Sequence, residues 1–341
     1  MKKINVVSLF NGMNTGRQAL ENVGIKVDKY YSSEIKPYAI ELTQHHFPDT
    51  IQVGDVTKWK EWYIDWKSID LVLSGSPCQD LSAAGKRAGI HGKKSSLFFT
   101  FVDILNHCKS LNPNVLFLQE NVGSASKLDV GIMSRELGVY PVRFNSSKVV
   151  AQMRDRYYWT NIRTKETMFD TVVDIPEPQD KKIFLKDILE NGYVEAEKSR
   201  CILESESRPL KQQHKMAHRY FNSGFTTIVS KNKETYLRVK EATSIGFVDI
   251  ANNEAVDLSY PTSTTRRGRG MKDKSNCLLR NNEYFVFQDG DIRYFTQTEL
   301  ERLQGFEDGY TSILTRNQAA CLLGDGWTLP VIEHIFSFIQ Q

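Results

Sequence analysis

The chain has 341 residues, 40% hydrophobic and 25% charged, the balance of a globular protein with one large domain or two modest ones. Five scattered cysteines with no Cys-x-x-Cys spacing argue against a disulfide framework or a structural zinc site, and no apolar run is long enough to cross a membrane. The net charge of +3 does not by itself announce a nucleic-acid binder, but the basic residues gather at Lys86-Arg87, Lys93-Lys94 and around Arg266-Arg267, which together would make a stripe facing phosphates.

In chain order, Lys2-Lys3 precedes an apolar run that stops at Phe10 and is too short for an export signal. It reads as a first strand, 4–9, in a cytoplasmic protein. A helix over 15–23 follows, with Asn14 as its N-cap, then a strand over 27–33 and a helix over 37–46. Buried strands over 69–73 and 115–118 flank a helix over 97–108. This alternation predicts an α/β fold with a doubly wound, mostly parallel sheet. From 166 to 290 sustained apolar runs are scarce; Pro176 and Pro178 mark a turn, and 284–287 reads as a short strand. Helices return over 296–303, 317–323 and 327–338. The expected organisation is one α/β domain made of 1–165 and 291–341, with a smaller domain, 166–290, inserted.

The small residues between the first strand and helix, Phe10-Asn11-Gly12 and Thr15-Gly16, let a ligand approach the backbone. Arg17 after Gly16 breaks the phosphate-loop signature, and Gly-x-Gly-x-x-Gly is also missing, which disfavours ATP and NAD. Glu34, at the end of the second strand, is placed to accept ribose hydroxyls, and Asp55, before Val56, to accept from an adenine amino group. Cys78 follows Pro77 at the carboxyl end of a strand, where a thiol is a candidate nucleophile. Glu120 ends another strand as a candidate acid. The other four cysteines, Cys108, Cys201, Cys277 and Cys321, are expected simply to pack.

Pro77-Cys78-Gln79, Glu120-Asn121-Val122 and Gln152-x-Arg154-x-Arg156, in this order, resemble the DNA cytosine-5 methyltransferases. Residues 293–306 are similar to the ninth conserved block of that family and 323–332 to its tenth, with Asp325 where the family usually has Asn. The resemblance implies a class I S-adenosylmethionine-dependent methyltransferase fold with an inserted target-recognition domain. It implies S-adenosylmethionine as cofactor, S-adenosylhomocysteine as product, no metal, and double-stranded DNA as partner, the protein being a monomer or homodimer. Cys78 would add to cytosine C6, Glu120 would serve N3, Arg156 would clamp O2, and Arg154 would brace the loop. Phe10, Asn11, Gly12, Thr15, Gly16, Glu34, Asp55, Val56, Pro77, Asp325, Gly326 and Trp327 would surround the cofactor. Gln79, Ser82, Lys86, Arg87, Gln152, Thr265, Arg266, Arg267 and Arg269 would face DNA, and residues 79–94 would form a lid over a flipped base. Thr264-Thr265-Arg266 with its basic loop resembles the animal de novo subgroup. Lys211, Lys215 and Arg219 would offer a second phosphate surface. An RNA cytosine-5 methyltransferase is the first rival, although neither Cys201-Ile202 nor Cys277-Leu278 supplies the Cys-Phe-Thr of the tRNA-type relatives. A non-catalytic DNA-binding paralogue would be expected to have lost the nucleophile, and a small-molecule methyltransferase would not need the inserted domain.

Overall fold

Short runs of Val, Ile, Leu and Tyr, buried on both faces, form the centre of a seven-stranded sheet. The strands are β1 (Ile4–Leu9), β2 (Val27–Ser33), β3 (Ile51–Gln52), β4 (Leu71–Ser74), β5 (Leu116–Val122), β6 (Val142–Asn145) and β8 (Asp155–Thr160), in the order β3-β2-β1-β4-β5-β8-β6. The short strand β7 (Gln152–Met153) lies outside this sheet. Strands β1 to β5 run parallel, and β8 enters antiparallel between β5 and β6. The computed structural model describes residues 3–77, 90, 96–190, 197–202, 228–230, 236–251, 254–257, 265, 267, 269–271, 284–286, 291–293 and 295–339.

Helices α1 (Thr15–Asn22), α2 (Pro37–His46), α3 (Leu97–Leu111) and α4 (Lys127–Leu137) connect the strands. Phe98 and Phe101 of α3 are fully buried in the same core as Val72 and Phe117 of the sheet. The chain winds from β1 outward to β3, then returns to β4 on the other side of β1. This reversal opens a crevice beyond the carboxyl ends of β1 and β4, the usual ligand position in open α/β sheets.

Three helices close the molecule: α6 (Gln297–Gln304), α7 (Arg316–Asp325) and α8 (Leu329–Phe336), after the single turn α5 (Leu185–Ile188). Thr296 with Glu299, and Thr315 with Gln318, form reciprocal capping boxes that fix where α6 and α7 start. Gly305 ends α6 at a φ of 79°, and Pro330 fills the space a side chain there would need. Helix α8 packs on α1, which carries the segment 323–329 onto the crevice.

Between β8 and α6 the described strands pair in small sheets. A hairpin joins β9 (Thr164–Glu166) and β10 (Thr171–Val173), and β11 (Ser199–Arg200) runs parallel to β7. Further on, β12 (Ile228–Ser230) pairs with β18 (Asp291–Arg293), β13 (Tyr236–Lys240) with β14 (Phe247–Ala251), and β15 (Ala255–Asp257) with β16 (Gly270–Met271) and β17 (Tyr284–Val286). Strand β18 pairs with β12 in a small sheet just before the helices return. At the other end, residues 199–200 already pair with β7 next to the large sheet.

Several elements differ from the sequence reading. Strand β5 runs on through Glu120 to Val122, so the acid lies inside the strand. Asn14 occupies the N-cap of α1 but makes no side-chain cap bond, since its φ of 65° puts it in a left-handed turn. Helix α4 and strands β6 and β8 were not expected. Leu128 of α4 is exposed, which blurs its apolar stripe, and β8 begins with charged residues.

Candidate active site

The loop after β1 is fixed to the ends of its neighbours. The Asn11 amide donates to the Ser33 carbonyl at 3.1 Å, the Tyr30 hydroxyl to Asn11 Oδ1 at 3.3 Å, and Ser33 Oγ to the Gly54 carbonyl at 2.7 Å. Phe10 and Gly12 both have positive φ, 56° and 58°, which turns the loop sharply at the crevice. Thr15 and Gly16 are buried in the first turn of α1. Arg17 is turned away, to Glu21 at 3.2 Å and Asp49 at 3.1 Å, and offers no cation to a phosphate.

Glu34 holds this geometry together. Its Oε2 accepts from the Gly12 amide at 2.8 Å, and its Oε1 accepts from the amides of Ile35 at 2.8 Å and Lys36 at 2.9 Å. A carboxylate has about four acceptor positions, so the position left over suits one sugar hydroxyl rather than the expected two. Asp55 Oδ1 takes both the amide and the hydroxyl of Thr57, each at 2.9 Å, and these bonds hold its carboxyl below the usual range. Its Oδ2 accepts nothing from the described residues and is open to an amino donor, while Val56 is buried beside it. This acceptor-rich crevice, with Arg17 turned away from it, fits an adenosine that carries no phosphate, as S-adenosylmethionine does.

The far wall comes from the segment after α7. Trp327 packs over Gly16 and Gly75; a Cβ at Gly75 would sit 2.8 Å from the indole Nε1. Gly326 is equally constrained, with no room for a side chain beside Met13. The Asp325 carboxylate accepts from Lys36 Nζ at 2.8 Å, tying α7 to the start of α2. Burial pulls the Lys36 ammonium down, but the bond and charge of Asp325 outweigh it and hold the group above its ordinary value. Asp325 thus faces the cation of Lys36, which also offsets the unfavourable acid at a helix carboxyl end.

The catalytic side begins at the end of β4. Gln119 Nε2 donates to Ser76 Oγ at 2.9 Å, and Asn121 Nδ2 donates to the same oxygen at 3.3 Å and to the Ser76 carbonyl at 3.4 Å. All three residues are buried, so the chain is firmly held two residues before position 78. Pro77 is described there and partly buried, whereas Cys78, Gln79, Ser82, Lys86 and Arg87 lie outside the described residues.

Glu120 is gripped from two sides. Arg156 Nε lies 2.8 Å from its Oε1, and Trp327 Nε1 donates to its Oε2 at 3.2 Å. The Glu120 and Arg156 side chains are 11% and 12% exposed, so the pair is largely desolvated. Burial pushes the Tyr158 phenol, opposite Glu120 on β8, well up, and the Glu120 charge adds to this. Residues 152, 154 and 156 are spaced two apart, as residues on one face of a strand are, and the two arginines engage the site. Arg154 donates from Nη1 to the Gly324 carbonyl at 3.0 Å and from Nη2 to the Asp325 carbonyl at 3.4 Å, bracing the segment that carries Trp327. Gln152 is fully buried, and in place of the expected DNA contact it accepts from the Ile202 amide at 2.7 Å and donates to the Leu303 carbonyl at 3.1 Å.

Within residues 166–290, Thr265 and Arg267 are exposed, with Arg267 Nε donating to the Ala242 carbonyl at 2.8 Å. Arg269 is fully buried and donates to the Asp257 carbonyl at 3.0 Å, which commits this guanidinium to the small sheet in place of a base or phosphate. Arg266, Lys211, Lys215 and Arg219 lie outside the described residues. Cys108 packs as expected, burial raising its thiol to about 12. Cys201 and Cys321 instead have polar partners, Arg154 and Tyr38 respectively.

The family model for C-5 cytosine-specific DNA methylases matches residues 4–341. The chain belongs to this family. It is a DNA cytosine-5 methyltransferase, and the family's chemistry implies S-adenosylmethionine as methyl donor. The type II methyltransferase M.HpaII of Haemophilus parainfluenzae is 26% identical over 347 residues, covering 97% of this chain and 88% of the relative. The orphan methyltransferase M.SPRI of Bacillus phage SPR is 28% identical over 80% of this chain and 66% of its own length. Among solved structures, a methyltransferase of Entamoeba histolytica superposes with a TM-score of 0.54 at 18% identity, covering 99% of this chain and 98% of the other. A DNMT2 mutant of Spodoptera frugiperda gives 0.55 at 16% identity, covering 99% of both chains. These two likenesses speak to the fold. Among the described residues no helix of this methyltransferase is long and apolar enough to cross a membrane.

Ser76 and Gln119 were missed by the sequence reading, which named Asn121 only as part of the Glu120-Asn121-Val122 motif and gave it no role. A polar residue on each side of the candidate acid Glu120 within an otherwise apolar strand was the available signal.

Proposed function

We propose that this methyltransferase carries out its reaction with Cys78 as nucleophile, Glu120 as acid and Arg156 as clamp, on a cytosine flipped out of duplex DNA. The observation that carries this reading is the Glu120 carboxylate, held between Arg156 Nε at 2.8 Å and Trp327 Nε1 at 3.2 Å beside the strand end that leads to Cys78. The Cys78 thiolate forms a bond to C6, and the electron pair of the C5–C6 double bond becomes available at C5. Glu120 supplies a proton or hydrogen bond to N3, which neutralises the charge developing on the ring. Arg156, already oriented by Glu120, donates to the cytosine O2. When bound, S-adenosylmethionine supplies an electrophilic methyl group on a positively charged sulfur. Once C5 carries the methyl group, water acting as base takes the C5 proton, the electron pair of that C–H bond re-forms the C5–C6 double bond, and the thiolate leaves C6.

Glu34 and Asp55 would hold the ribose and adenine, and Phe10, Asn11, Gly12, Thr15, Gly16, Val56, Pro77, Gly326 and Trp327 would enclose the rest, with Asp325 closing the wall through Lys36. Gln79, Ser82, Lys86 and Arg87 would meet the DNA around the flipped base. Thr265, Arg266 and Arg267, in a loop whose sequence resembles the animal de novo subgroup, would enter the major groove, where arginine pairs with guanine. The residues of 166–290 would then act as the target-recognition domain.

The test is base-resolution cytosine-modification sequencing of DNA from a methylation-free bacterial host expressing the wild type or Cys78→Ala. Modified cytosines in one sequence context, lost in the variant, support the reading. Modification that persists in Cys78→Ala removes Cys78 from its role.

A further inference from the structure

We infer that Cys201 is a positioning residue for methyl transfer, acting through both active-site arginines; this rests on the role proposed above for Arg156. Its place is set by backbone pairing. Ser199 and Arg200 lie opposite Gln152 and Met153 in parallel register, the Ser199 amide donates to the Ala151 carbonyl at 2.7 Å, and the Ile202 amide to Gln152 Oε1 at 2.7 Å. That register brings residue 201 alongside Arg154.

The Cys201 Sγ accepts from Arg154 Nη1 at 3.0 Å and from Arg156 Nη2 at 3.7 Å, while its own S–H points to the Ile202 carbonyl at 3.6 Å. A thiol is well suited to this. With its weak donor spent on a carbonyl, the large polarisable sulfur presents lone pairs to two cations whose donors approach at different lengths. Each guanidinium then serves a separate part of the site. Arg154 braces the carbonyls of Gly324 and Asp325, which lead to Trp327, and Arg156 grips Glu120. The two arms converge again on the same carboxylate, because Trp327 donates to Glu120. Cys201 therefore closes a ring of contacts around the catalytic acid. It also directly follows β11, whose pairing with β7 holds this stretch beside the large sheet.

The experiment compares wild type, Cys201→Ala and Cys201→Ser. Methyl transfer from radiolabelled S-adenosylmethionine to duplex DNA gives kcat and KM, and NMR of the arginine side-chain Nε–Hε groups reads Arg154 and Arg156 directly in the ligand-free protein. Loss of a hydrogen bond to a charged group corresponds to about a tenfold change. Cys201→Ala is therefore expected to lower kcat about tenfold with both KM values little changed, and to move both arginine resonances. Cys201→Ser, which keeps an acceptor, is expected to recover most of the activity and leave the resonances close to wild type. Unchanged resonances in Cys201→Ala overturn the proposal whatever the activity. So does an equal loss of kcat and melting temperature in both variants, which marks a purely structural role. A wild type that moves no methyl group to DNA refutes the underlying reading of Arg156 as a cytosine clamp, while the resonances still decide whether Cys201 orients the arginines.

Discussion

Arg156→Met removes the cation from a carboxylate that the fold has taken out of water. In the wild type Arg156 Nε lies 2.8 Å from Glu120 Oε1, both side chains are only about an eighth exposed, and Arg156 Nη1 also donates to the Asp155 carbonyl at 2.8 Å. Met fills similar space but leaves Glu120 charged with the Trp327 indole as its remaining gripping donor. Breaking a buried pair by removing one partner costs about 3 kcal/mol at the lower end of the usual range, and that end applies because one side of the pair faces the crevice. Equilibrium urea unfolding, followed by tryptophan fluorescence, should show a loss of that size. Glu120→Gln in the Arg156→Met background removes the stranded charge, so the double variant should regain roughly 2 kcal/mol. Methyl transfer should not return with it, because the proposed O2 clamp and N3 acid are both gone; each single variant should already be down by about a hundredfold or more. If Arg156→Met unfolds within about 0.5 kcal/mol of wild type, and the double variant gains nothing, the pair is solvent-screened and this electrostatic account of the site is wrong.

Gln152→Ala should cost about 2–4 kcal/mol, because it strands the buried Ile202 amide and Leu303 carbonyl; the folded variant should bind duplex DNA as tightly as wild type, whereas a loss of affinity at fixed salt would mean that Gln152 does reach DNA. Gly75→Ala drives a methyl group against Trp327 and should cost about 1–3 kcal/mol; kcat should also fall as the indole leaves Glu120, and a crystal structure with the indole unmoved would contradict this. Lys36→Met probes the latch to Asp325 through pH. The folded ammonium is held above its ordinary value, so the pair's stabilisation is complete below the normal lysine range and is lost as pH rises through the higher folded value. The melting temperature of wild type should therefore fall more steeply than that of Lys36→Met from about pH 10 upward, and parallel curves would show that the ion pair adds no stability.

Some of this architecture is written locally. Runs such as Val6-Val7 and Leu71-Val72-Leu73 can only be buried strands, and the capping pairs Thr296/Glu299 and Thr315/Gln318 announce where their helices begin. The Pro-Cys, Glu-Asn-Val and Gln-x-Arg-x-Arg signatures point to the chemistry because they resemble, in the same order, those of the cytosine methyltransferases. Strand β8 was harder to read, since an antiparallel strand carrying Asp155 and Arg156 spends its charges on partners that adjoin it only after folding.

The alternation of strands and helices thus determined the fold class, the short motifs carried the resemblance to cytosine methyltransferases, and the positions of Glu120, Glu34 and Asp55 at strand and loop ends made them candidate acids. Tertiary structure decided what each polar group is used for. Gln152 looks like a surface reader beside two arginines, yet burial between β11 and α6 commits it to the backbone. Arg269 looks like its neighbour Arg267, but one is sealed inside a small sheet and the other is exposed. Asp325 looks like a defect in a conserved block until Lys36 comes into contact from 289 residues away. Cys201 looks like one more packing thiol until β11 pairs with β7 and sets it between two guanidiniums. In each case the sequence fixes the donors and acceptors a residue carries, while the cost of leaving a buried polar group unpaired selects its partner, and that partner exists only once distant segments meet.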